Sequence, residues 1–258
     1  VVLNGRRADV LAAAARELAD AGLAVDARAF DVTQRAQVDA HVAAIEAEIG
    51  PIEILVNNAG IQRRAPFVDF AAADWDELMR TNLDAVFHAA QAVARRMLPR
   101  GRGRIINIGS MGGKLTFPGG GIYHATKYAV EAISDAMRFE VQGSGVQIVL
   151  IEPGLITTGF ADTAVGSVDG LNDGPYAEFN SRVGTVTADI YAGNVAKFLG
   201  GNPDSVAEVV RKAIESKRPK ARYTVTPSAT LSIIQRQLTP DKFWDLAMRA
   251  QFPVPGDK

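Results

Sequence analysis

Short runs of β-branched and aliphatic residues alternate along this chain with longer alanine-rich stretches of helical periodicity, and no other feature limits its fold as strongly. A strand that leads through a helix into another strand returns parallel to the first by a right-handed crossover. The chain is therefore read as an α/β protein, a doubly wound parallel sheet forming one domain over 1–258. The expected strands are 1–3, 24–30, 52–56, 104–108, 146–151 and 222–225. The run 52–56, apolar but for Glu53, is read as a strand buried on both faces. Expected helices are 8–21, 34–49, 72–79, 81–99 closed by Pro99, 122–142, and one starting at the N-cap signal Asn202-Pro203-Asp204-Ser205. Residues 155–201 are glycine-rich, show no clear periodicity, and read as a substrate-loop region. In the tail, 226–258, apolar residues such as Leu231, Ile233, Ile234, Leu238, Phe243, Trp244, Leu246 and Met248 recur at helical spacing. They imply core packing, or else a lid or interface helix.

Composition removes several classes of function. With 28 Lys plus Arg against 29 Asp plus Glu and no long like-charge block, a nucleic-acid or anionic-lipid footprint is not expected. The chain has no cysteine, and only His41, His88 and His124 are present, so no metal site is expected. No apolar stretch reaches the roughly eighteen residues a membrane span needs, and no signal peptide is read. Such a chain suits a reducing cytosol, and a cytoplasmic location is expected.

Chemistry concentrates around three side chains. Tyr123 and Lys127 stand four apart at the start of a predicted helix and share a face, while Ser110 lies just beyond a strand. A free tyrosine ionises near pH 10, so using its phenolate near neutrality calls for roughly 4 kcal/mol of preferential stabilisation. An ammonium about 4 Å away, at an effective dielectric of about 20, supplies about that much. Tyr123 then exchanges protons and Ser110 hydrogen-bonds the substrate oxygen. Alone, such a Tyr-x-x-x-Lys pair also arises by chance on helix surfaces. Other residues stand at telling places. Asn57-Asn58-Ala59-Gly60 follows a strand at the carboxyl end where open parallel sheets bind ligands, though it also fits a plain turn. Asn82 falls in a helix beside Leu83, Val86 and Phe87, and Pro153-Gly154 ends a strand.

Taken in this order, Asn57-Asn58-Ala59-Gly60, Asn82, Ser110, Tyr123-x-x-x-Lys127 and Pro153-Gly154 resemble the short-chain dehydrogenase/reductase family over residues 1 to about 160. The resemblance implies a Rossmann-type fold and hydride transfer between NAD(P) and a carbonyl or alcohol. It makes Tyr123 the acid/base, with Ser110 orienting the oxygen, Lys127 holding the nicotinamide ribose, and Asn82 placing a relay water. It puts Asp31 and Val32 at the adenine, Asn57, Ala59 and Gly60 along the adenine ribose and phosphates, and Pro153, Gly154, Ile156 and Thr158 along the nicotinamide. Homodimers or homotetramers are also implied, through helix faces carrying Ala85, Ala89, Ala92, Ser134 and Met137. The corner Asn4-Gly5-Arg6-Arg7 has no acid to bond a ribose 2'-hydroxyl, and Arg6 and Arg7 suit a 2'-phosphate, so NADP is expected over NAD. A solvated helix start explains those two arginines equally well.

The family's opening strand and glycine-rich phosphate turn have no counterpart in the sequence. Val1 reads as the second strand, so one βα unit of roughly 30 residues is expected ahead of it. Without that central strand, two ladders of backbone groups are expected to stand open. Residues 1 to about 108 resemble the gluconate 5-dehydrogenase branch, and those from Met111 onward the retinol and hydroxysteroid dehydrogenase branch. The second half is therefore expected to govern specificity and to favour a less polar substrate, with Phe160, Leu171, Tyr176, Phe179 and Tyr191 as pocket walls. Two alternatives stay open: a sugar-acid dehydrogenase of gluconate type, and a catalytically silent NADP-binding protein.

Overall fold

The structure, a computed structural model, describes residues 1–159, 163, 166 and 174–255. Phe160 and Leu171 lie outside the described residues. Chain order runs β1 (Val2–Gly5), α1 (Ala8–Asp20), β2 (Asp26–Ala29), α2 (Arg35–Glu48), β3 (Ile54–Asn57), α3 (Ala72–Met79), α4 (Ala85–Arg100), β4 (Gly103–Ile108), α5 (Gly121–Glu140) and β5 (Val146–Glu152). It continues through α6 (Ala177–Ala192), α7 (Asn194–Leu199), α8 (Pro203–Glu215), β6 (Arg222–Thr224), α9 (Pro227–Leu238) and α10 (Asp241–Gln251). All ladders are parallel, as the βαβ alternation requires. None of the helices among the described residues is long and apolar enough to cross a membrane.

The strands form two sheets, β1-β2 and β3-β4-β5-β6, with no ladder between β1 and β3 among the described residues. Side-chain alternation along β4 and β5 builds a layer on each face of the larger sheet. Ile105 and Ile148 pack with Val38 and Val42 of α2 and with Ala90, Val93 and Met97 of α4. Ile106, Val149 and Ile151 point the other way, against Ala213 and its neighbours on α8. That second cluster stops at β4. Ile54 and Val56, which share the face of Ile106 by register, are therefore 42% and 40% exposed, and the expectation of a doubly buried strand fails there.

Three further corrections concern local structure. The 155–201 segment contains α6 and α7; α6 buries Val183, Val186 and Thr187, so its helical face is set by tertiary neighbours that a weak local pattern conceals. Pro99 sits inside the last turn of α4, where it forgoes one hydrogen bond to the preceding turn, and Gly101 in the left-handed region ends the helix. Most of the apolar tail is not core. Leu231, Ile234, Leu238, Phe243 and Leu246 remain exposed, while Trp244 faces the Phe117 ring with centroids 6.1 Å apart.

The helix faces expected to join subunits point inward. Ala85, Ala89 and Ala92 are buried in the core; Ser134 is buried and bonds within the protomer; Met137 packs against the same cluster as α2 and α4. Small residues let α4 lie close to the sheet, so their alanine content reports packing inside one copy.

Candidate active site

The carboxyl ends of β3, β4 and β5 open into a cavity of about 1520 Å³. Such a rim is where parallel sheets place ligands, because loops leaving all the strands converge there. Val56, Asn58, Gly60, Ser110, Tyr123, Lys127, Pro153, Gly154, Ile156 and Thr158 line it.

Ser110 follows β4 in extended conformation, and its Oγ accepts from the Gly112 amide at 3.0 Å, starting a short 3-10 turn over Met111–Gly113. This fixes the hydroxyl beside Tyr123, to which it is hydrogen-bonded. Tyr123 and Lys127 project from the first turns of α5 onto one wall. The Lys127 ammonium is buried, donates to the Ile108 carbonyl at 3.0 Å and lies 5.8 Å from the centre of the Tyr123 ring. Burial pulls Lys127 down to about 8. Burial likewise pushes Tyr123 up to about 12, outweighing the Ser110 hydrogen bond, so the phenol keeps its proton at neutral pH. The depression of Tyr123 expected from the adjacent ammonium is thus overridden by desolvation.

Asn82 sits in a π-helical turn, Arg80–Asp84, between α3 and α4. The wider turn rolls Asn82 inward. Its Nδ2 donates to the Ile61 carbonyl at 2.9 Å and its Oδ1 accepts from the Ile61 amide at 2.8 Å. Nδ2 also reaches Thr126 Oγ1 at 3.3 Å, joining the loop after β3 to the turn of α5 that carries Tyr123. On the opposite rim, Gly154 lies so near α9 that a β-carbon would stand 2.5 Å from Ser228 Oγ and 2.7 Å from the Ala229 amide nitrogen.

Other expected residues are not part of this cavity. The Asn57 side chain is buried and donates to Asn107 Oδ1 at 2.9 Å; Asn107 in turn donates to Ser134 Oγ at 2.9 Å, a polar chain between sheet and helix. Ala59 is exposed beside the cavity without lining it. Asp31 turns its carboxylate onto the Thr33 amide at 2.9 Å, and Val32 packs against the α2–α4 core, because both serve the entry to α2. Arg6 and Arg7 are exposed just after β1. Among the expected walls, Tyr191 lines the cavity, whereas Tyr176 and Phe179 meet each other edge-on at 6.4 Å.

Two cavity residues, His124 and Arg64, escape a reading by motif. His124 is buried; its Nδ1 contacts the Gly112 carbonyl at 3.0 Å while Nε2 accepts from the Phe117 amide at 3.4 Å. Burial lowers its proton affinity to about 4, so the ring is neutral with its proton on Nδ1. Arg64, from the loop after β3, donates to Thr187 Oγ1 on α6 at 2.6 Å. Arg64 therefore lines the cavity from the half of the sequence not expected to govern specificity. The adjacent pair Arg63-Arg64 was the available sequence signal, but nothing local tells which member turns inward.

The nicotinamide end of a dinucleotide fits these residues. Lys127 has three N–H donors and uses one on Ile108, leaving donors for a diol, and Gly60 keeps the adjoining wall free of a side chain.

A family model described as short chain dehydrogenase matches residues 1–167. Gluconate 5-dehydrogenase of Gluconobacter oxydans is 48% identical over 165 residues, 64% of this chain and 64% of that protein. The 5-keto-D-gluconate 5-reductase of Escherichia coli is 39% identical over 158 residues, 61% of this chain and 62% of that protein. The matches thus cover just under two thirds of the length of these curated relatives. Among solved structures, a gluconate 5-dehydrogenase from Burkholderia cenocepacia in complex with NADP and tartrate shares 35% identity, with a TM-score of 0.64 over 89% of this chain and 85% of that one. A short chain dehydrogenase/reductase from Burkholderia phymatum in complex with NAD shares 25%, with a TM-score of 0.76 over 100% of this chain and 87% of that one. With the parallel sheet, the rim that gathers Ser110, Tyr123 and Lys127, and a family match over more than half its length, this chain belongs to the short chain dehydrogenase family.

Proposed function

We propose that the chain is an NAD(P)-dependent oxidoreductase that interconverts a carbonyl and a primary or secondary alcohol. The observation that carries this reading is the hydrogen-bonded pair Ser110–Tyr123 on one cavity wall with the buried Lys127 ammonium beside it. When bound, the nicotinamide supplies or takes up the hydride. Tyr123 donates its phenolic proton to the substrate oxygen on reduction and receives it back on oxidation. Ser110 holds that oxygen by hydrogen bonding, and Lys127 offers its remaining N–H donors to the nicotinamide ribose. Asn82 holds the Gly60–Ile61 turn against α5 and is a positioning residue. Because burial keeps Tyr123 protonated, reduction is served near neutral pH, and oxidation should quicken as pH rises.

NADP is favoured by the exposed Arg6 and Arg7 and by the NADP complex of the Burkholderia cenocepacia relative. Exposed Phe87 on α4, with Tyr128 and Phe139 on α5, supports a homodimer or homotetramer through these helices, which sedimentation would test. The functional test is NADPH consumption with a panel of carbonyl compounds. Tyr123→Phe should slow it by about 10²- to 10⁴-fold while the protein stays folded, and unchanged turnover would remove Tyr123 from the mechanism.

A further inference from the structure

Two buried carboxyl groups meet beside the turn that carries Ser110. Glu131 lies one helical turn after Lys127 on α5, and Glu152 ends β5. Their carboxyl groups are hydrogen-bonded to each other, yet an ionised carboxylate only accepts, so this contact needs a proton on one of them. Glu152 is the group to carry it. Lys114 at 2.6 Å and Arg222 at 3.0 Å both meet Glu131 Oε2, whereas Arg222 stays 3.8 Å from Glu152. Burial, and next the Glu131 charge, accordingly push the Glu152 carboxyl up to about 7. The remaining charged groups here belong to α5: Asp135 holds Arg222 at 2.5 Å, and Arg138 pairs with Asp135 at 3.3 Å.

The pair is built into the backbone that places Ser110. Gly109 donates to the Ile151 carbonyl and Met111 to the Pro153 carbonyl, each at 2.8 Å, so these two bonds straddle Ser110 on one segment and Glu152 on the other. Glu131 supports the same turn from α5. Its ion pair holds Lys114, the residue that closes Met111–Gly113, and a β-carbon at Gly113 would stand 2.9 Å from its Cγ.

We propose that Glu131 and Glu152 share one proton and are positioning residues for Ser110, the proton keeping the two carboxyl groups together and the serine turn seated. Loss of that proton leaves two touching anions with no donor between them, and Glu152 is driven from α5 together with the carbonyls on either side of it. Reduction therefore weakens as pH rises through about 7, although Tyr123 keeps its proton there. This rests on the oxidoreductase reading above and adds a pH control to it.

The test compares wild type with Glu152→Gln, whose amide donates to Glu131 at every pH and so imitates the protonated carboxyl. Infrared difference spectra of wild type should show a carboxylic-acid C=O band at about pH 6 that fades by about pH 8.5 and is missing from the variant. Amide hydrogen exchange over residues 109–113, taken as the ratio of wild type to variant at each pH, should rise about 10-fold across that range. The ratio of kcat/KM for carbonyl reduction should fall by about as much. Ratios cancel the intrinsic pH dependence of exchange and the titration of Lys127, which the two proteins share. Glu131→Gln also leaves one amide against one carboxylate; it should lack the step too, and it takes the place of Glu152→Gln should that variant not fold. Absence of the band, a flat exchange ratio, or an exchange step that leaves kcat/KM unmoved would each overturn the proposal. The band and the exchange step without turnover of any carbonyl compound leave the proton-linked turn standing and defeat the oxidoreductase reading. Turnover with a flat exchange ratio does the reverse.

Discussion

Asn82 grips the backbone of Ile61 from both sides, accepting from its amide at 2.8 Å and donating to its carbonyl at 2.9 Å. One side chain thereby replaces a strand partner for the loop leaving β3. Replacing Asn82 by Ala leaves two backbone groups without these bonds, and we expect a loss of about 1–3 kcal/mol in unfolding free energy. Urea denaturation measures it; a loss below about 0.5 kcal/mol would mean that water substitutes freely.

Lys127 couples stability to pH. Its folded-state pKa of about 8 lies below the ordinary 10.5, so below pH 8 the folded protein carries a charge that burial disfavours. That cost is relieved as pH climbs from about 8 to 10.5. Relative to Lys127→Met, which lacks the group, wild type should gain about 3 kcal/mol across this window. Urea melts of both proteins at pH 7 and pH 10 provide the comparison, and parallel pH profiles would contradict it. The variant should be inactive throughout.

At His124 the dependence runs toward acid. The folded ring resists protonation down to about 4 against an ordinary value of 6.5, so the unfolded chain binds a proton first as pH falls. Stability contributed by the neutral ring is present above 6.5 and is lost between 6.5 and 4, by roughly 3 kcal/mol at the lower limit. The clamp on Gly112 and Phe117 should open with it. His124→Gln removes this titration, so its acid profile should be flatter than that of wild type by chemical denaturation at pH 7 and 4.5.

Gly154→Ala tests the tight rim. The added methyl meets the Thr226 and Ser228 hydroxyls and the Ala229 amide, and the last cannot rotate away. We expect about 1–3 kcal/mol of destabilisation by overpacking, read as a lower melting temperature. An unchanged melting temperature would show that α9 shifts without cost.

The relation between sequence and structure differs from element to element. The helix over Pro203–Glu215 was legible because its start signal is local: Asn202 accepts from Ser205, and Pro203 occupies the first turn. The Tyr123 and Lys127 pair was legible because a spacing of four on a helix is a shared face whatever surrounds it. Burial at Ile54 and Val56 was not legible, since an apolar strand reads the same whether or not a helix covers it. The direction of the Asn57 side chain was not legible for a similar reason: the motif fixes its position at the strand end, but only Asn107 on the adjacent strand decides where its side chain turns.

By itself the sequence determined the order of strands and helices, the parallel sheet, and the gathering of Ser110, Tyr123 and Lys127 at one rim, because periodicity and short-range spacing act within a few residues. Tertiary structure alone decided the electrostatic state of the site. Tyr123 is protonated, Lys127 holds its proton less firmly than a free lysine, and Arg64 meets a helix 123 residues later in the chain, because burial and long-range contacts arise only once distant segments have packed.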